Sequence, residues 1–135
     1  MKLTLVTPEK RILIGQEVES VIVPAYRGEL NILEGHTPLI TTLDTGIMSW
    51  KIKGQDRFHY AVVSWGHCEV FPNGIDILAE AADLPDDVNV EDARVYMEKA
   101  KKQLATESLT DDEYEKLTHG IKRSEAGNEV IKYKN

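Results

Sequence analysis

The residue types that most often carry chemistry are scarce in this chain, which has four histidines and a single cysteine. The histidines are His36, His59, His67 and His119, and Cys68 directly follows His67. No two histidines have the i, i+4 spacing that puts two metal ligands on one helix face, and no second cysteine completes a zinc set. The sequence therefore predicts no metal site.

A serine nucleophile with a histidine and an aspartate can be assembled on paper from Ser64, His36 and Asp44. Ser64 stands in the segment Val-Ser-Trp-Gly, however, and not in the G-x-S-x-G turn that exposes a nucleophilic serine. His67 and Cys68 are neighbours in a predicted strand, where adjacent side chains point to opposite faces. We therefore predict no catalytic residue and interpret Cys68 as a small core side chain.

The composition excludes several classes of partner. The 135 residues carry 16 basic and 23 acidic side chains, a net charge of −7. A nucleic-acid-binding protein needs a basic face to neutralise phosphates, so nucleic acid is not an expected partner. No apolar run approaches the roughly 20 residues that span a bilayer, and the first residues do not resemble a signal peptide. We expect any membrane association to be through partner proteins.

Residues 1–85 have the pattern of strands and turns. Residues 46–53 alternate between two faces, one with Met48, Trp50 and Ile52, as a half-buried strand requires. The sequence Pro-Asn-Gly at 72–74 favours a tight turn, because Asn and Gly tolerate positive φ. Some eight to ten short strands with frequent turns predict an antiparallel β-sandwich or flattened barrel.

Residues 86–135 have the pattern of two helices. Asn89 is placed to cap the first helix, and Thr110 with Glu113 forms a capping box for the second. One apolar stripe at spacings of three and four consists of Val90, Ala93, Met97, Ala100 and Leu104. Gly120 and Gly127 weaken the second helix by about 1 kcal/mol each relative to alanine. The short connection predicts an antiparallel hairpin that must dock on the sandwich or on a partner.

Two segments carry a resemblance to a known family. The first contains Pro24, Gly28, Glu29, Ile32, Leu33, Gly35, His36, Pro38, Leu39, Thr41, Leu43 and Gly46. The second contains Ser64, Gly66, Glu69, Val70, Asn73, Ile75, Leu78, Ala79 and Glu80. Both match, at the right separation, motifs of the epsilon subunit of bacterial F-type ATP synthase, whose mitochondrial counterpart is the delta subunit. Departures from the family pattern are Asn31, Trp65, His67 and Cys68.

The resemblance implies an α+β chain: a flattened antiparallel β-sandwich of about ten strands (1–85), then an antiparallel two-helix hairpin (86–135) with a regulatory role. It implies a non-catalytic rotor subunit that links the gamma shaft to the membrane c-ring and couples proton flow to ATP synthesis. The expected location is the cytoplasmic side of the bacterial inner membrane, as a peripheral protein.

The resemblance also implies site residues on the sandwich. Those expected to bind gamma are Thr7, His36, Pro38, Leu39 and Ser64. Those expected to contact the c-ring are Arg27, Gly28, Glu29 and Leu30. The residue types alone leave open whether the turn-rich stretch around these positions contacts partners or only builds corners of the fold.

The hairpin of bacterial and chloroplast relatives inhibits ATP hydrolysis when it extends toward the catalytic beta subunits. The basic residues that would serve here are Lys99, Lys101, Lys102, Lys122 and Arg123, and the alternative is a solvated charged face. Some relatives bind regulatory ATP on the hairpin, and the aligned residues here are Glu91 and Arg94. The alternative is an ordinary ion pair on the helix surface between Glu91 and Arg94.

Two other functions stay open at this point. A free-standing β-sandwich that binds a small ligand would need a concave pocket lined by Trp50, Tyr60 or Trp65. A small hydrolase would need Ser64 or Cys68 as its nucleophile.

Overall fold

Seven β-strands are followed by two α-helices. The computed structural model describes residues 1–133. The strands are β1 (Lys2–Val6), β2 (Arg11–Ala25), β3 (Gly28–Leu33), β4 (Leu39–Leu43), β5 (Gly46–Ile52), β6 (Phe58–Phe71) and β7 (Gly74–Asp83). The helices are α1 (Val90–Thr106) and α2 (Asp111–Val130), and short 3₁₀ turns span Pro85–Asp87 and Ile131–Tyr133.

The strands form one sheet that folds over into a sandwich. Its order is β1-β7-β6-β4-β2-β3, and β5 joins β2 to β6. The long strands β2 and β6 each pair with both β4 and β5, so they pass from one layer to the other. β1 also pairs with β2, which gives the sandwich the closed outline of a flattened barrel.

Two details differ from the predicted sandwich. The structure has seven strands instead of about ten, because apolar patches that the sequence separates belong to single long, bent strands. In β2 the bend lies at Gly15, whose φ is +60°, a conformation that glycine adopts without strain. The sheet is also mixed, because β1 runs parallel to β7 while the other pairs are antiparallel.

The sandwich encloses a single apolar core. Alternate residues of every strand point inward, and among the fully buried side chains are Leu3, Leu5, Val21, Ile32, Met48 and Ile77. Trp50 is 4% exposed and belongs to this core. Close packing from all seven strands makes the sandwich a rigid base for the sites on its surface.

Both helices begin where local side chains satisfy their free N–H groups. The Asn89 side chain accepts a hydrogen bond from the Asp92 N–H at 3.0 Å. Thr110 and Glu113 form the reciprocal capping box that the sequence predicts. No helix within residues 1–133 is long and apolar enough to cross a membrane.

The hairpin lies against the sandwich through α2. Ala126 and Val130 pack on Val62 in a second, small apolar cluster, together with Ile47, Tyr60 and Val88. Both helix glycines mark close approaches: a Cβ at Gly120 would meet the Tyr96 ring, and one at Gly127 would lie 3.2 Å from Val88. The helix-weakening cost of these glycines is therefore offset by packing.

Candidate functional site

The four residues expected at the c-ring lie at one tip of the sandwich. The β2–β3 turn holds Arg27, and Gly28 opens β3 with a φ of +120°. Arg27, Gly28 and Glu29 are exposed, whereas Leu30 is half-buried and packs against the core. β3 pairs only with β2, so this turn ends an edge of the sheet. Tyr26, at the same turn, is 73% exposed.

Three of the five residues expected to bind gamma form a contiguous patch. The His36 ring Nδ1 lies 2.7 Å from the Thr37 carbonyl, which fixes the ring beside exposed Pro38. Leu39 is half-buried at the start of β4 and packs on the core. The next residue, Ile40, points outward and is 73% exposed. The patch therefore combines a polar ring with accessible apolar surface.

The other two lie elsewhere along the sheet. Thr7 follows β1, and its hydroxyl accepts hydrogen bonds from the N–H groups of Glu9 and Lys10. Leu39 pairs with Val70 of β6, six residues from Ser64. At the usual rise per residue, that separation is about 20 Å along the strand. The structure does not bring the five predicted residues together as one surface.

Ser64 lies beneath α2. It is 7% exposed, and its Oγ is 3.4 Å from Thr45 Oγ1. Thr45 Oγ1 in turn lies 2.7 Å from His119 Nδ1 and accepts a hydrogen bond from the Trp65 N–H. The Trp65 and His119 rings pack with centroids 4.5 Å apart. A polar and aromatic network therefore links β6 to the middle of α2.

Two ion pairs flank this network. The Lys122 ammonium lies 3.1 Å from Asp44, and Arg123 donates two hydrogen bonds to Asp83, at 2.7 and 2.8 Å. The hydrogen bonds to Asp83 outweigh burial and raise the pKa of Arg123. We call these contacts the hairpin joint. Its residues are Asp44, Thr45, Ser64, Trp65 and Asp83 on the sandwich and His119, Lys122 and Arg123 on α2.

The five basic residues expected to inhibit hydrolysis fall into two groups. Lys99, Lys101 and Lys102 are exposed near the end of α1 and form no ion pair within residues 1–133. Lys122 and Arg123 are half-buried and paired with the sandwich at the hairpin joint. In the docked hairpin these two charges are already engaged.

Glu91 and Arg94 lie on the solvent side of α1. The Arg94 guanidinium bonds to Glu91 and to Glu98, and all three side chains are more than half exposed. The hydrogen bond and charge of Arg94 lower the pKa of Glu91. A guanidinium held between two carboxylates does not fit a triphosphate, and neither residue lines the cavity of about 450 Å³ between hairpin and sandwich. ATP binding stays a prediction, and this geometry weighs against it.

Neither residue that the hydrolase alternative would need as a nucleophile has a catalytic setting. Cys68 is fully buried, and burial raises the pKa of its thiol to about 11. Ser64 contacts Thr45, whereas His36 bonds at its own turn. Within residues 1–133, no three His, Cys, Asp or Glu side chains meet as metal ligands.

The three aromatic residues of the ligand-binding alternative do not converge. Trp50 stacks on His59, Tyr60 stacks on Tyr133, and Trp65 packs on His119. Trp50 and Tyr60 line one pocket of about 250 Å³, whereas Trp65 lines the cavity between hairpin and sandwich, so the three residues lie in separate pockets.

The sequence reasoning missed Thr45, His119, Asp44 and Asp83 as joint residues. A signal was present on α2, where His119, Arg123, Ala126 and Val130 recur at spacings of four, three and four. Together with Lys122, that stripe holds the residues of α2 that contact the sandwich.

Comparison with known proteins gives a consistent result. Residues 1–85 match the family described as "ATP synthase, Delta/Epsilon chain, beta-sandwich domain". The chain is 54% identical over 114 residues to the ATP synthase epsilon chain of Bdellovibrio bacteriovorus, covering 84% of this chain and 81% of that one. It is 34% identical to ATP synthase epsilon chain 1 of Syntrophotalea carbinolica, covering 92% and 88%.

Two solved structures share the fold. One is the Euglena gracilis mitochondrial ATP synthase, OSCP/F1/c-ring, with a TM-score of 0.79 and 20% identity over 97% of this chain and 81% of that chain. The other is the central stalk/c-ring of Tetrahymena thermophila mitochondrial ATP synthase, with a TM-score of 0.66 and 14% identity over 97% and 96%. At these identities the likeness concerns the fold of both the sandwich and the hairpin.

Proposed function

The chain belongs to the ATP synthase epsilon-chain family, whose members are non-catalytic subunits of F-type ATP synthase, and we propose that its sandwich links a gamma shaft to a c-ring. The observation that carries this proposal is the 54% identity to an epsilon chain over most of both proteins. The free-standing ligand-binding module is not supported, and neither is a hydrolase.

The contact with the c-ring is proposed at the β2–β3 turn. Arg27, Gly28 and Glu29 are exposed at a sheet edge, and Leu30 anchors the turn to the core. Charged residues at such a rim set orientation more than affinity. The exposed Tyr26 ring adds apolar area beside them.

The contact with gamma is proposed on the patch of His36, Pro38 and Leu39, extended by Ile40. The Ile40 side chain, which is 73% exposed at the border of this patch, supports binding of another protein. Thr7, which follows β1 of the same sheet, would contribute as well. Ser64 is covered by α2, so it could contact gamma only after the hairpin leaves the sandwich.

A regulatory role is proposed for the hairpin at residues 86–135. In the docked arrangement Lys122 and Arg123 are paired with Asp44 and Asp83. Undocking would free both charges, so that they join Lys99, Lys101 and Lys102 on an extended hairpin facing the catalytic beta subunits. Inhibition of hydrolysis would then compete directly with docking.

The subunit would work on the cytoplasmic side of a bacterial inner membrane, attached through its partners. Support comes from the bacterial relatives and from the net charge of −7, which disfavours direct contact with anionic lipid. Transport of protons, and not of another ion, is part of the proposal.

Co-elution with the gamma subunit of the same organism tests this function. The wild-type chain should elute with gamma as a one-to-one complex, and His36→Glu with Ile40→Glu should abolish the complex. Ile14→Glu is the matched control, because Ile14 is 63% exposed on β2, away from the patch. A folded wild-type chain that does not bind gamma would refute the proposal.

A further inference from the structure

A pair of tyrosine rings joins the end of the hairpin to the sandwich. Tyr133, in the 3₁₀ turn after α2, stacks on Tyr60 of β6, with the ring centroids 4.1 Å apart and the ring planes inclined by 16°. Stacked aromatic rings stabilise a contact beyond the area that they bury. Neither tyrosine is among the residues proposed to contact gamma or the c-ring, so the pair is a separate feature of the molecule.

The Tyr133 ring lines a recess of about 250 Å³ at the base of the hairpin. The sandwich lines this recess with Trp50 and Tyr60, and the linker before α1 lines it with Leu84 and Pro85. The 3₁₀ turn that contains Pro85 also contacts the 3₁₀ turn that contains Tyr133. The recess therefore lies where the hairpin starts and ends, and a ring held there ties both ends of the hairpin to the sandwich.

The stack adjoins the small apolar cluster between hairpin and sandwich. Val130 is fully buried in this cluster with Val62, and Tyr60 packs on the same cluster. Because residues three apart in a helical turn share a face, Tyr133 continues the stripe of α2 that carries Val130. Within residues 1–133 the cluster has three buried members, so one additional ring is a large share of the apolar contact that holds the hairpin.

The Tyr133 contact does not depend on charge. Within residues 1–133 the Tyr133 side chain forms no hydrogen bond or ion pair, and it is 42% exposed. Lys122 and Arg123, in contrast, are joined to the sandwich by ion pairs. A ring that stacks without polar bonds leaves its recess without stranding a buried charge, and it returns without the need to meet a partner ion.

We propose that Tyr133 is a latch, whose stacking on Tyr60 keeps the hairpin docked and whose departure from the recess accompanies release of the hairpin. This inference rests on the proposed function, because it assigns a residue to the regulation proposed for the hairpin. The stack exists only in the docked state, so its removal raises the detached population by the factor that the stack contributes to docking. Salt screens the two ion pairs of the hairpin joint but not the stack, so the latch carries a larger share of docking as the ionic strength rises.

Amide exchange of the full chain, read at residues 115–125 of α2, tests the latch. This segment ends about two turns before Tyr133, so fraying at the end of the helix does not affect it. Tyr133→Ala should speed exchange in the segment by about tenfold, at low and at high salt. Tyr133→Phe keeps the ring and should stay within about twofold of wild type.

Two further variants control for a general effect of removing a ring. Tyr114→Ala removes an equally large ring from α2 outside the recess, where the side chain is 58% exposed, and should stay within about twofold of wild type. In a Tyr60→Leu background, which has already lost the stack, Tyr133→Ala should add less than about twofold.

The outcomes separate the latch from the regulatory role. Equal exchange of residues 115–125 in Tyr133→Ala and wild type would overturn the latch, and so would a Tyr133→Phe variant that exchanges as fast as Tyr133→Ala. In the assembled enzyme Tyr133→Ala should lower ATP hydrolysis relative to Tyr133→Phe, because more hairpins are detached. If the exchange results are as expected while hydrolysis is equal in the two variants, the latch stands and the regulatory role proposed for the hairpin fails.

Discussion

The sandwich and the hairpin are held by different kinds of contact. Within residues 1–133, seventeen buried residues form the core of the sandwich, whereas the apolar cluster between hairpin and sandwich has three buried members, Val62, Ala126 and Val130. Polar contacts supply most of the remaining joint, with two ion pairs and the Thr45–His119 bond. Because the stabilisation from apolar burial scales with the buried area, we expect the sandwich to stay folded when the hairpin detaches.

This difference suits a rotor subunit. A part proposed to contact shaft and ring must keep its shape, whereas a part proposed to regulate must detach at low cost. Single substitutions should therefore affect one region without the other.

Gly66→Ala should give the largest loss and should act on the sandwich. A Cβ at Gly66 would overlap the backbone carbonyl of Leu78 and lie 2.9 Å from the Ala79 Cα, and backbone cannot move aside easily. We expect the free energy of unfolding to fall by about 3 kcal/mol in a denaturant titration. Gly54→Ala, with a φ of +86° but open space around it, should cost only about 1 kcal/mol. Equal losses of unfolding free energy in the two variants would mean that backbone strain at positive φ, and not the close contact at Gly66, determines the cost.

Asp83→Asn should act on the hairpin. The substitution neutralises the Asp83 carboxylate, which accepts two hydrogen bonds from Arg123, and the Arg123 side chain is 43% exposed. We expect docking to weaken by about 1.5 kcal/mol, with the sandwich intact. Fluorescence of Trp65 in a Trp50→Phe background measures this, because Trp65 lies at the joint. Arg94→Gln, which breaks only exposed ion pairs, should leave the Trp65 fluorescence unchanged. If Arg94→Gln changed it as much as Asp83→Asn does, the Asp83–Arg123 pair would not be what holds the hairpin.

Acid should release the hairpin through Asp44. Burial raises the pKa of Asp44, but the hydrogen bond from the Thr45 N–H and the hydrogen bond and charge of the Lys122 ammonium together lower it by a larger amount. The pKa of Asp44 therefore lies below its ordinary value of 3.8. The ionised Asp44 carboxylate contributes its full stabilisation of docking above pH 3.8. This contribution is lost as the pH falls through the lower pKa that Asp44 has in the docked state. The ionisable side chains facing it are Lys122 and His119 of α2.

The Trp65 signal should therefore change below about pH 4 in the wild type, and this step should be absent in Asp44→Asn. A step that persists in the variant would assign it to other carboxylates.

Nucleotide should have the smallest effect. Because Arg94 is held between Glu91 and Glu98, millimolar MgATP should not change the melting temperature of the chain or the Trp65 signal. A clear stabilisation that is lost in Arg94→Gln would instead establish the ATP site that the family resemblance suggests.

Much of the fold could be predicted because local rules determine it. The helix starts at Asn89 and Thr110 follow from side chains within three residues, and the turn at 72–74 follows from its own residue types. The number of strands could not be predicted, since β2 and β6 continue through bends that look like breaks in the sequence.

The candidate site was less predictable, because its residues are far apart in the chain. Lys122 and Asp44 are 78 positions apart, and Arg123 and Asp83 are 40 apart. A basic residue on a helix looks the same in sequence whether it faces solvent or a distant aspartate. The resemblance pointed to Lys122 and Arg123, but only the structure shows what they bind in the docked state.

Amide hydrogen exchange of the full chain, followed by mass spectrometry, tests most directly that the hairpin detaches while the sandwich stays folded. We expect α2 to exchange much faster than β6 in the wild type, and we expect Asp44→Asn with Asp83→Asn to speed exchange in α2 but not in β6. Exchange of both elements at one common rate, in wild type and variant alike, would show a single cooperative unit and contradict the account.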